Sequence, residues 1–419
     1  MNRIVVRGGR RLSGEVVIGG SKNAALPVLF GGIVTDGVCT FSNLPRVSDV
    51  LQTLEILRYL GARIRFLSNG DVRVDYTGVQ SKRVPASLTT PIRGSTYLLG
   101  AMLSRFGQAT LAGAGGCNFG SRPIDQHLFG FSCLGAQVEE GRDGVSVNAP
   151  LGLWGREIRL AMPSVGATAN LMLAASRASG ETVLHNAAAE PHVAALASFL
   201  TDAGANIQGV GSDTIRIVGV KRLHGTAHTV IPDMIEAGTY LCIGAACGGP
   251  VRVRSVCPSH LGCLLQTFSE MGITVDSGTD HITVAAPRSY RNTQITTGPY
   301  PSFPTDLHPQ MTALFALGGR ALGEGVVNEA VFASRFRYIE ELRRMGADIT
   351  IEGRRAQITP RTLHAARLHS PDLRGGAALL LAALATEGIS EIRGADTIGR
   401  GYEHPETKLR GIGAQIRVL

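Results

Sequence analysis

The sequence predicts an α/β protein built from six repeats, with apolar helices inside and sheets outside. Three observations carry that prediction. Gly accounts for 53 of 419 residues, about 13% against a typical ~7%, so the chain is rich in tight turns. A helix-like segment that ends at a glycine and runs into a strand recurs six times. Most repeats hold a second helical stretch that is apolar nearly all round, as a helix inside a core is. Hydrophobic residues make up 44% and charged residues 18%, which excludes disorder over most of the chain.

The elements follow in order. The first repeat has a buried helix over 24–30, then helical apolar spacing at Leu51, Leu54, Ile56 and Leu57. The turn Leu60-Gly61-Ala62 leads on to Ile64. It returns as Leu134-Gly135-Ala136, Ala203-Gly204-Ala205, Met271-Gly272-Ile273, Met345-Gly346-Ala347 and Ile412-Gly413-Ala414, at intervals of 74, 69, 68, 74 and 67 residues. Each glycine is expected in the left-handed conformation that closes a helix. In the fifth repeat Ile339, Leu342 and Met345 mark the helix, and Ala347-Asp348-Ile349-Thr350-Ile351 alternates as a half-buried strand. The remaining core helices are expected over 97–103, 168–175, 237–246, 310–317 and 377–385. The period is too long for a common solenoid. A grouping of three plus three, divided near Ile231-Pro232, fits the repeats without being fixed by them.

Four segments combine turn residues with reactive ones. In Gly19-Gly20-Ser21-Lys22-Asn23 a glycine turn opens a buried helix carrying a Lys, a pattern that suits an anion. The stretch 112–127 places Cys117 among four glycines, with Arg122 and His127 behind it. It reads as a mobile loop holding a reactive thiol; His127 alone reads as structural. Met162-Pro163-Ser164-Val165-Gly166 reads as a helix cap or a phosphate turn. Asp306 stands in a segment stiffened by Pro301, Pro304 and Pro309, ahead of a buried helix. By default it caps that helix; in a cleft it would be a general base. Arg335, Arg374 and Arg400 lie singly at element boundaries, and with Lys22 and Arg122 they are enough to neutralise a small polyanion.

The net charge is +8 and the isoelectric point is near 9.3. The basic residues are scattered, with no run of five, so an anionic small ligand is favoured over nucleic acid. A non-catalytic anion- or nucleic-acid-binding protein is the alternative from another class. Seven Cys show no C-x-x-C pair and no metal-ligand spacing, which points to free thiols and a reducing compartment. With no signal-like N-terminus and no run of 18 apolar residues, a cytoplasmic protein is expected.

These motifs together resemble the enolpyruvyl transferase family along essentially the whole chain. They are Ser-Lys-Asn-Ala-Ala-Leu-Pro from Ser21, the Gly-Gly-Cys loop with Arg-Pro-Ile-Asp, Pro-Ser-Val-Gly-Ala-Thr from Pro163, Phe-Pro-Thr-Asp ending at Asp306, and Arg-Gly-Tyr-Glu from Arg400. The resemblance implies a two-domain inside-out α/β barrel of six βαβαββ units, three per domain. The domains would be 22–231 and 1–21 with 232–419, and the active site would lie in the cleft. It implies transfer of the carboxyvinyl group of phosphoenolpyruvate to the 3-hydroxyl of UDP-N-acetylglucosamine in peptidoglycan precursor synthesis, with release of phosphate. Cys117 would be the proton donor and Asp306 the base. Lys22, Arg122 and Arg400 would face the phosphate, and Arg335 and Arg374 the carboxylate. Arg93, the run Arg122, Pro123, Ile124, Asp125 and Gln126, and Ser164, Val165 and Gly166 would hold the uridine diphosphate. Asn23, Asp306 and Val331 would orient the sugar. No metal or organic cofactor, nucleic acid or membrane is implied. Ala189, Ala333, Ser334 and Gln126 depart from the family pattern and leave UMP open as an alternative acceptor.

Overall fold

A computed structural model of the chain describes residues 3–113, 115, 123–141, 144–285 and 287–419. The chain forms two compact units: Gly20–Ile231, which is continuous, and Met1–Gly19 with Pro232–Leu419, which is discontinuous. The change of unit falls at Gly19 and Gly20, two residues before the expected boundary. Gly19 N–H donates to Glu236 at 3.0 Å, while Ser21 N–H donates to the Ile231 carbonyl at 2.7 Å. A side chain on Gly20 would run into the Asn43 carbonyl, so only glycine fits there.

Each unit has three core helices. In the continuous unit they are α1 (Lys22–Thr35), α2 (Tyr97–Phe106) and α3 (Val165–Ala175). In the discontinuous unit they are α4 (Met234–Cys247), α5 (His308–Ala316) and α6 (Leu373–Ala385). They are apolar on nearly every face because each packs against its partners inward and against sheets outward; α1 is buried continuously from Ala24 to Thr35.

The fifth repeat shows the βαβαββ order most plainly. Strand Gln294–Thr296 precedes α5, Gly325–Asn328 follows it, the outer helix Ile339–Arg344 comes next, and Asp348–Glu352 and Arg355–Thr359 close the unit. The first two strands pair parallel and the rest antiparallel. Among the described residues the strands form five four-stranded sheets, one of three strands and one of two, rather than a closed ring.

Two strands pair with partners far away in sequence but within their own unit. Gly14–Val17, which precedes α1 in sequence, pairs parallel with Val251–Arg254 of the discontinuous unit. Ala227–Thr229, which precedes α4, pairs parallel with Val38–Ser42 of the continuous unit. Strand Arg3–Gly8 lies between Gly388–Arg393 and Gln415–Val418 and completes the sixth repeat. The three-stranded sheet belongs to the second repeat, where a single bridge, Val84 to Leu111, stands in for the parallel strand. No helix among the described residues is long and apolar enough to cross a membrane.

Candidate functional site

In the discontinuous unit three expected residues meet. Asp306 does not cap α5; the N-cap is Leu307, with no side-chain bond. The carboxylate turns instead to two arginines. Arg335 Nη2 donates to Oδ1 at 2.7 Å, and Arg374 Nε donates to Oδ2 at 3.1 Å. The Asp306 side chain is 26% exposed, while those of Arg335 and Arg374 are 3% and 2% exposed. Buried guanidinium groups need a counter-charge, and Asp306 supplies it from the rim.

Local structure sets both arginines. Arg374 lies in the first turn of α6, where Asp372 Oδ1 accepts the N–H groups of Arg374 and Gly375 at 2.9 and 3.1 Å. The Tyr402 ring lies 5.3 Å from the Arg374 guanidinium carbon, and Phe332 lies 5.5 Å from that of Arg335. Arg400 ends the 3₁₀ helix Ala395–Arg400, two residues before Tyr402, and is half-buried. Val331 is 39% exposed in the turn after Glu329.

In the continuous unit Lys22 and Asn23 open α1 behind the N-cap Ser21, whose Oγ accepts from Ala24 at 3.4 Å. Lys22 Nζ lies 3.3 Å from Asp49 Oδ2. Asp49 carried no sequence signal, because it sits in the outer helix Ser48–Leu60 as an ordinary first-turn acid.

Those residues expected at the uridine diphosphate that are described lie in one region. Arg93 Nη2 donates to the Pro123 carbonyl at 3.3 Å. Ile124 and Asp125 start the outer helix Asp125–Cys133. Gln126 Oε1 accepts the Met162 N–H at 3.3 Å, just before Ser164, whose Oγ accepts from Ala167 and caps α3 at Val165. His127 fills the space beside them: a Cβ on Gly166 would lie 2.9 Å from its ring. Its Nδ1 accepts from Asn170 Nδ2 at 2.8 Å, and burial with the Arg93 charge pushes its pKa down to about 3. His127 and Asn170 thus shape this turn; the sequence marked neither for function.

Cys117 and Arg122 lie outside the described residues. Six other cysteines are free, and Cys39, Cys242 and Cys247 are buried. No group of three His, Cys, Asp or Glu able to hold a metal ion occurs among the described residues. A cavity of about 390 Å³, lined by Lys82, Gln108, Thr110 and Asn148 among others, borders the three-stranded sheet and includes none of the motif residues.

Comparison with known proteins gives a consistent picture. The family model for EPSP synthase (3-phosphoshikimate 1-carboxyvinyltransferase) matches residues 6–409. UDP-N-acetylglucosamine 1-carboxyvinyltransferase 2 of Bacillus cereus is 43% identical over 417 residues, covering 99% of this chain and 96% of that protein. The UDP-N-acetylglucosamine 1-carboxyvinyltransferase of Clostridium botulinum is 44% identical over 419 residues, covering 99% of each. Among solved structures, the enolpyruvyl transferase NikO from Streptomyces tendae superposes with a TM-score of 0.90 at 27% identity, over 99% of this chain and 98% of that one. An EPSP synthase of Acinetobacter baumannii shares the fold, with a TM-score of 0.74 at 22% identity over 100% of both chains.

Proposed function

The chain belongs to the EPSP synthase family of carboxyvinyltransferases, and we propose that it transfers the carboxyvinyl group of phosphoenolpyruvate to the 3-hydroxyl of UDP-N-acetylglucosamine, with release of phosphate. The observation that carries this reading is Asp306 set between two buried arginines. It joins a carboxylate able to take a hydroxyl proton to two cations able to hold a substrate carboxylate. The acceptor comes from the names of relatives that match along the whole chain.

The chemistry assigns each residue a task. Asp306 takes the proton of the 3-hydroxyl, and the oxygen adds to C2 of phosphoenolpyruvate while Cys117 gives a proton to C3. Return of a C3 proton to the Cys117 thiolate with loss of phosphate then restores the vinyl group, and the proton held by Asp306 leaves with the phosphate. Arg335 and Arg374 hold the carboxylate. As the substrate carboxylate occupies their donors, the Asp306 oxygens are freed to accept the proton. Lys22, Arg122 and Arg400 neutralise the departing phosphate. Arg93, Pro123 to Gln126 and Ser164 to Gly166 hold the uridine diphosphate, and Asn23 and Val331 orient the sugar. The reading draws on residues of both units. It places the reaction in the cytoplasm, at the entry to peptidoglycan precursor synthesis.

Phosphate release from phosphoenolpyruvate, measured with UDP-N-acetylglucosamine and separately with UMP, tests the reading. Release with the sugar nucleotide alone is expected. Release with UMP alone would reassign the acceptor, and release with neither would overturn the proposal.

A further inference from the structure

We propose that Glu329, partnered by His308, is a positioning residue that joins the Val331 turn to the Asp306 segment and so sets the acceptor against its base. Glu329 follows the strand Gly325–Asn328 and is 1% exposed. A carboxylate buried to that degree is costly unless donors surround it. Here they come from two sides. Oε1 accepts the N–H groups of Val331 and Phe332, each at 2.8 Å. Oε2 accepts the Thr305 hydroxyl at 2.8 Å and lies 3.2 Å from His308 Nε2. One carboxylate therefore fastens the turn over 330–332 to the residue before Asp306 and to the residue two after it.

The hydrogen bonds around His308 place its protons. The Thr312 hydroxyl donates to the His308 carbonyl at 3.0 Å, and the Tyr338 hydroxyl donates to Thr312 Oγ1 at 2.8 Å. The Tyr338 oxygen is left to accept, so His308 Nδ1, 3.1 Å away, carries the donor proton. Nε2 then faces Glu329 Oε2 in a site closed to water, where two bare lone pairs would repel. The 3.2 Å approach of Nε2 to Oε2 is a close contact and not a hydrogen bond. Burial and the Arg335 charge both push the His308 ring away from protonation, while Asp306 opposes them. Arg335 keeps Asp306 as its counter-charge, 2.7 Å away.

Only the kinetic part of the test rests on the proposed acceptor. Glu329→Gln should raise KM for UDP-N-acetylglucosamine about tenfold, the loss of one charge-assisted hydrogen bond, and leave KM for phosphoenolpyruvate unchanged. His308→Gln, which leaves the bonds from Thr305, Val331 and Phe332 to Glu329 in place, should retain most of the acceptor affinity. Amide exchange at Val331 and Phe332 is read whatever the acceptor. It should quicken in Glu329→Ala while α6 keeps its protection. Wild-type inactivity with this acceptor would overturn the function proposed above and leave the exchange result to decide the role of Glu329. Unchanged exchange at 331–332, or equal changes in both KM values, would overturn the positioning role.

Discussion

At Asp306 a single carboxylate pairs with two buried guanidinium groups and, in the proposed reaction, also receives a proton. The two roles separate in Asp306→Asn. The amide cannot take the hydroxyl proton, so kcat should fall about 10²–10⁴-fold. It also leaves Arg335 and Arg374 facing a neutral partner; with Asp306 26% exposed, the expected loss of stability is about 1–3 kcal/mol. Steady-state turnover beside a thermal melt reads both, and normal turnover would remove Asp306 from the chemistry. Cysteine reactivity gives a second prediction. Burial pushes the Cys247 thiol up to about 12 and raises Cys39, Cys133, Cys242 and Cys263 as well. Cys117 stands among glycines with Arg122 nearby in sequence, so an epoxide resembling phosphoenolpyruvate should alkylate it first. Peptide mapping that found equal labelling at Cys133 would count against that role. His127 gives a third. Its folded pKa is depressed to about 3 from 6.5, so between those values the unfolded chain binds the extra proton and stability falls as pH falls. His127→Asn should flatten that part of the pH–stability curve; an unchanged slope would show that other groups set it.

The six outer helices end alike because each turn is a local event. Gly61, Gly135, Gly204, Gly272, Gly346 and Gly413 all have φ between 76° and 111°. After each, the next N–H reaches back to close the helix, as Ala136 does to Phe131 and Ala414 to Leu409. Such a motif is legible in a sequence, since its donors, acceptors and glycine lie within six residues. The core helices were legible for a related reason: residues apolar on every face have only one place to go. The ion pair of Lys22 with Asp49, the sharing of Asp306 by two arginines and the bond from Gln126 to Met162 were not legible. They join groups far apart in sequence, and no local pattern encodes them. The two kinds of glycine predict different costs. Gly413 has open space around it, so Gly413→Ala should cost only the left-handed backbone strain, about 1–2 kcal/mol. Gly100 is where α2 meets α3; its N–H donates to Asn170 Oδ1 at 2.8 Å, and a Cβ would strike the Asn170 carbonyl. Gly100→Ala should therefore cost more than Gly413→Ala, as helices forced apart usually lose about 1–3 kcal/mol or more. Thermal melts of the two variants in the opposite order would show that α2 and α3 yield more readily than this packing allows.

For the molecule as a whole, the decisive feature is which unit owns its strands. Every sheet of the continuous unit is built from residues between 20 and 231, including Ala227–Thr229, which reaches back to Val38–Ser42. The segment 232–419 of the discontinuous unit is not self-sufficient in this sense. The sheet of the sixth repeat has Arg3–Gly8 as an inner strand, and that of the fourth repeat has Gly14–Val17 at one edge. Both come from the far end of the chain, so these pairings carry a high loop-closure cost and form late. The fragment 20–231 should therefore fold alone and melt cooperatively, whereas 232–419 should not. Without residues 3–8, Gly388–Arg393 and Gln415–Val418 lose their shared neighbour. The core also loses Ile4 and Val6, both fully buried, each worth about 1.5–3 kcal/mol. Those losses are comparable with the whole stability of an average domain, about 5–15 kcal/mol. A peptide of residues 1–19 added to 232–419 should restore the missing strands and with them a cooperative melt, followed by far-UV circular dichroism. The order of events is specific: no transition for 232–419, a transition on adding the peptide, and no gain from a peptide with Ile4 and Val6 changed to Asp. A cooperative native-like melt of 232–419 by itself would mean that its sheets close without the N-terminal strands, and that the long-range pairing at 3–8 is dispensable to the fold.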